Sequence, residues 1–95
     1  LEKILKLNLQ EDLRDVQDIL RLLGSKTRVK ILKLISDGGD WTLKDLASKM
    51  TTKASNLSQH IDKLEIVGLI EKVREKGTSS KLLIPVYERI IIDIK

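Results

Sequence analysis

The chain has no cysteine and one histidine, His60, in 95 residues. Zinc takes about four convergent N, S or O ligands, and softer metals require thiolates. Metal sensing and thiol redox sensing are therefore excluded, and no metal site and no cofactor are expected. Aromatics are reduced to Trp41 and Tyr87, so the core must be aliphatic. Pro85 is the only proline. No apolar run approaches transmembrane length, and no signal-peptide pattern is present. A cytoplasmic location and no membrane partner are expected, which the lack of cysteine suits. No nucleophile–base pair, carboxylate dyad or phosphate-binding loop is evident, so the chain is not expected to be an enzyme. It opens on Leu1 without Met, which predicts a trimmed or partial chain.

What is present is charge, 34% of residues, with a net +4 and an isoelectric point near 9.4. Abundant Ile, Leu and Lys resembles thermophile usage. The distribution of charge is more telling than its sum. Ile19 to Ser36 contains no acid but includes Arg21, Lys26, Arg28, Lys30 and Lys33. Acids gather earlier, at Glu11, Asp12, Asp15 and Asp18. A basic second half is permissive for nucleic acid.

The segment Ala54–Val67 is the most informative. Leu57, Ile61 and Leu64 fall on one helical face. At about 100° per residue, Ser55, Gln59 and Asp62 lie opposite, flanked by Asn56 and Lys63. Such a polar face suits the major groove, where amides and hydroxyls read base edges and lysine holds phosphate. Asp62 is adverse there, since it repels phosphate unless a neighbour pairs with it or it is aimed at a cytosine amine. Upstream, Leu43, Leu46, Ala47 and Met50 make a short amphipathic helix, and small Ala47 admits a close helix crossing. Thr51-Thr52-Lys53 is the turn, with Thr51 or Thr52 as N-cap. Two helices joined this way form a helix-turn-helix. Downstream, Leu69–Glu75 and Ser80–Val86 read as strands of a basic hairpin around Gly77, with Pro85 at a strand end. Trp41 is expected to pack as a short third strand on the base of this hairpin. The sum is a mainly α winged helix-turn-helix with a small β-hairpin. Helices are predicted near 10–23, 26–37, 43–50 and 54–67, and strands near 69–75 and 80–86.

Three stretches carry a family resemblance: Leu23-Gly24-Ser25-Lys26-Thr27-Arg28-Val29-Lys30-Ile31-Leu32, Thr42–Ala47, and Ser55–Ile61 with Leu64 and Gly68-Leu69-Ile70. Over roughly residues 20–86 the chain resembles the ArsR-like winged-helix regulators, especially their archaeal relatives. The resemblance implies a sequence-specific regulator of transcription that binds double-stranded DNA, usually as a homodimer. The chain departs from the metal-sensing members: Leu43-Lys44-Asp45-Leu46 stands where their thiolates would sit.

On this reading the groove-facing helix offers Thr52, Lys53, Ser55, Asn56, Ser58, Gln59, His60 and Lys63. The wing offers Arg74, Lys76, Gly77, Thr78, Ser79 and Lys81. Lys26, Arg28 and Lys30 are candidates for phosphate. Alternatives stay open: His60 as a boundary residue, Arg28 as a brace within the domain, Ser55, Asn56, Gln59 and Lys63 as a solvated helix face, and the Gly77 tip as an idle hairpin. A winged-helix module that docks on protein remains the competing function.

Residues 1–23 are expected to form a dimerisation segment, 24–86 the winged-helix core and 87–95 a strand or dimerisation tail. Asn8 and Glu11 resemble a capping box. Leu9, Leu13, Val16, Leu20 and Leu23 form a helical stripe that Leu5 and Leu1 extend backwards; alternation of Leu5, Leu7 and Leu9 argues instead for a short strand. Leu5, Leu9, Leu13, Val16 and Leu20, with Ile90, Ile92 and Ile94, are expected at a subunit interface. The β-branched tail Arg89–Lys95 favours a strand, pairing with a partner subunit or with Ile4–Leu9.

Overall fold

The computed structural model describes residues 2–95. Elements run β1 (Ile4–Asn8), α1 (Leu13–Leu23), α2 (Lys26–Ser36), α3 (Leu43–Lys49), α4 (Ala54–Ile66), β2 (Ile70–Arg74), β3 (Lys81–Pro85) and β4 (Arg89–Asp93). This is the winged helix-turn-helix architecture, with both predicted hairpin strands and all four helices present.

The helix-turn-helix is held by its caps. Thr42 accepts from the Asp45 amide at 3.1 Å, and the Asp45 carboxylate accepts from the Thr42 amide at 3.3 Å, a complete capping box at the start of α3. At its end Thr51 takes φ 54, with Thr51 N–H on Ser48 O and Thr52 N–H on Ala47 O. This is a Schellman motif with threonine where glycine would be unstrained. The N-cap of α4 is consequently Lys53, with no side-chain cap, and not Thr51 or Thr52: one threonine is consumed by the preceding helix end. The end of α4 repeats the motif with Gly68 at φ 82, and Leu69 N–H returns to Leu64 O at 3.0 Å. The chain thus turns straight into β2.

β2 and β3 pair antiparallel from Ile70↔Pro85 to Arg74↔Lys81. Pro85 closes the strand, where its missing N–H costs no ladder bond. Leu83 N–H donates to Trp41 O at 2.8 Å, so Trp41 does extend the hairpin sideways, although as a single bond and not a full strand. One core unites these elements: Ile31, Leu46 and Leu64 are fully buried, with Val16, Leu57, Ile61 and Ile70 nearly so.

The N-terminal segment settles as a strand. β1 pairs in parallel with β4, Ile4↔Arg89 through Asn8↔Asp93, so of the two partners considered for the tail, Ile4–Leu9 occupies one edge. Asn8 is not a helix cap. Its Oδ1 accepts from Gln10 N–H at 2.8 Å, its carbonyl from Asp12 N–H at 2.7 Å, and its amide donates to Asp12 Oδ2 at 2.9 Å. The capping pattern instead closes the turn out of β1, and α1 begins at Leu13 after Asp12.

The expected subunit stripe is split by this arrangement. Val16 is 1% exposed and belongs to the core, which removes it from any interface. Leu5, Leu9, Ile90 and Ile92 are half-buried against that core. Leu13, Leu20 and Ile94 stay outside, at 52%, 55% and 67% exposure. Leu1 lies outside the described residues. No helix among the described residues is long and apolar enough to cross a membrane.

Candidate nucleic-acid interface

α4 buries Leu57, Ile61 and Leu64 and turns Ser55, Asn56, Gln59, Asp62 and Lys63 to solvent. Ala47, 6% exposed, forms part of the core beneath it. The turn residues Thr52 and Lys53 lead into this face. Asn56 Nδ2 donates to Thr52 Oγ1 at 3.0 Å, which orients the amide of an exposed side chain. Ser58 spends its proton on Ser55 O at 3.2 Å and is half-buried. Ser58, Asp62, Lys72, Ser80 and Lys81 share the lining of a cleft of about 300 Å³ with Thr42 and Leu43. The helix face and the wing base therefore meet along one continuous surface.

The wing tip is built from Glu75 to Ser80. Glu75 N–H bonds Ser80 O at 3.0 Å, Ser80 N–H bonds Thr78 Oγ1 at 3.1 Å, and Gly77 adopts φ 82. Arg74, Lys76, Ser79 and Lys81 are exposed around it. None of Lys53, Lys63, Arg74, Lys76 and Lys81 is engaged in an ion pair among the described residues. Their charges face water, as phosphate-neutralising groups require.

Two of the candidates turn inward. Arg28 Nε donates to Leu22 O at 2.7 Å, and its Nη1 lies 3.1 Å from His60 Nδ1. This is a brace linking α1, α2 and α4 through a carbonyl and an imidazole. Burial lowers the His60 pKa, assisted by the charges of Arg28 and Lys63. A guanidinium can only donate, so Nδ1 is the acceptor in this contact and the ring proton belongs on Nε2. Lys26 and Lys30 remain exposed on α2.

Sequence reasoning missed the partner of Asp62. Lys72 Nζ lies 2.7 Å from Asp62 Oδ1 and 3.4 Å from Glu65 Oε1. The Asp62 hydrogen bond is the main cause raising the Lys72 pKa. Strand alternation from buried Ile70 carries Lys72 toward α4, and that alternation was the available signal. The pair ties the wing to the helix and neutralises the acid on its outer face. Lys72→Met should weaken binding to all duplexes and leave the salt slope unchanged, at a stability cost of about 0.5–1 kcal/mol. Adding Asp62→Asn should recover most of the affinity. A salt slope reduced by about one unit would instead make Lys72 a phosphate contact.

A polar helix face beside a basic hairpin, on a helix-turn-helix, defines a winged-helix DNA-binding regulator of transcription. The chain belongs to the MarR family, whose model it matches over residues 25–77. No curated protein matches it. Among solved structures it is similar to a homodimeric winged helix-turn-helix DNA-binding domain from Mycobacterium bovis, a possible ArsR-family transcriptional regulator. That likeness has TM-score 0.73 and 21% identity, covering 84% of this chain and 71% of that one. It is also similar to reduced HlyU from Vibrio cholerae, with TM-score 0.69 and 21% identity over 81% of this chain and 78% of that one.

Proposed function

We propose that this regulator reads double-stranded DNA with α4 in the major groove and lays the β2–β3 wing on the backbone or minor groove. The observation that carries the reading is the division of labour on one surface. Asn56 and Gln59 present amides, which pair a donor and an acceptor with a base edge. Lys53, Lys63, Arg74, Lys76 and Lys81 present charge alone, which positions without reading sequence. Gly77, Thr78 and Ser79 keep the wing tip small, and Ser55 and Ser58 keep the helix face low. Arg28 and His60 hold α4 against α1 and α2 and do not themselves meet bases. Lys26 and Lys30 extend the phosphate track.

The functional unit is a homodimer, as supported by the exposed Leu13, Leu20 and Ile94 and by the homodimeric M. bovis domain. The finer placement beside the ArsR-like group and its archaeal relatives rests on the Leu23–Leu32 and Ser55–Ile70 stretches. Selection of bound sequences from random duplex DNA at fixed salt tests the reading. A short site recurring as two inverted copies is expected. No enrichment and no salt-dependent shift would transfer the polar face to a protein partner.

A further inference from the structure

Among the described residues β4 pairs with β1 alone, which leaves its other edge free, and its sequence is self-complementary. Asp93 O accepts from Leu9 N–H at 2.7 Å, so the Asp93 carbonyl faces β1. Alternation along a parallel ladder gives Arg89 and Ile91 the same orientation, leaving the N–H and C=O of Ile90 and Ile92 on the opposite edge. Two-stranded sheets are marginal alone, and parallel ones are normally covered. An apolar, β-branched edge without proline or central charge is a template for a further strand.

We infer that β4 pairs antiparallel with β4 of a second copy about a two-fold axis at Ile91, joining two two-stranded sheets into one of four strands. The inference rests on the dimeric reading above and specifies its interface. Centring on Ile91 sets Arg89 opposite Asp93 of the other copy, twice, and Ile90 opposite Ile92. No other centre within the strand opposes the two charges. Ile90 and Ile92 become the hydrogen-bonded pairs and Ile91 the close, non-bonded pair, which matches the groups left on the free edge. Ile90 and Ile92 already pack on the core, so Arg89, Ile91 and Asp93 share the other face. In the protomer Arg89 lies 3.6 Å from Glu2 and Asp93 4.0 Å from Lys6, all partly exposed and able to join one alternating network.

The other edge does not fit. The Asn8 amide and carbonyl are spent on the turn into α1, and antiparallel pairing of β1 about its centre would oppose Lys6 to Lys6. β4 rather than β1 is therefore the joining strand.

The absence of cysteine makes the test specific. Ile91→Cys should form a disulfide-linked dimer on mild oxidation, because Cα atoms of a non-bonded antiparallel pair lie about 4.5 Å apart. Lys6→Cys should not, being about 14 Å from its copy across three strand spacings. Arg89→Asp should weaken the dimer by roughly tenfold in sedimentation, and adding Asp93→Arg should recover part of that loss, since the swap restores the pairs between copies but sets like charges beside Glu2 and Lys6 within each protomer. A dimer indifferent to these charges, with no Ile91→Cys linkage, overturns the β4 edge but leaves the dimeric reading standing. Linkage through Lys6→Cys moves the interface to β1. A monomer at all concentrations removes both readings.

Discussion

Replacing Asn56 or Gln59 with alanine should cost about 1–3 kcal/mol on the preferred duplex, roughly 5- to 150-fold in affinity per reading unit. Choice should relax at one base position per half-site, while binding to random duplex stays nearly unchanged. The reason is local. Asn56 is exposed and its amide is held by Thr52 at 3.0 Å, and Gln59 is exposed one turn further along the same helix. An amide aligned before binding loses little entropy when it meets a base edge. Thr52→Val should therefore produce a weaker version of the Asn56→Ala defect. Competition between preferred and random duplexes measures all three.

The second large effect is on stability. Leu64→Ala should destabilise the fold by about 2–5 kcal/mol, because Leu64 is fully buried and its loss leaves a cavity. For a chain of this size each kcal/mol lowers Tm by roughly 4–8 °C. Leu64 also supplies the carbonyl that receives Leu69 N–H at the α4 exit. Leu64 and Leu69 both belong to the buried core that α4 and β2 share, and DNA binding should fall with the folded fraction. Thermal unfolding followed by helical circular dichroism is the measurement; a change under about 1 kcal/mol would deny Leu64 its place in the core.

The helix-turn-helix and wing were legible because their signals are local. Leu57, Ile61 and Leu64 repeat at helical spacing, Gly68 stops the helix, and Gly77 sits between two strand-like runs. The termini were less legible. Leu9, Leu13, Val16 and Leu20 fit a helical stripe, while Leu5, Leu7 and Leu9 fit a strand, and only the distant β4 selects between them. Pairing over more than eighty positions leaves no local trace in either segment. The Thr51 conformation was hidden for a related reason: threonine prefers the N-cap, yet the closing bonds of α3 claim that position first. Arg28 and His60, 32 positions apart, were readable as charge and boundary but not as partners. Asp62 reads as adverse in isolation because its neutralising lysine lies on another element.

The central claim is that α4 reads bases while the wing holds backbone. Salt titration of binding to preferred and random duplexes, for the unaltered chain, Gln59→Ala and Lys76→Ala, tests it most directly. Gln59→Ala should lose affinity on the preferred duplex alone and keep the salt slope. Lys76→Ala should weaken both duplexes about equally and reduce the slope by roughly one unit per protomer. The same sequence-independent loss from both substitutions would contradict the account.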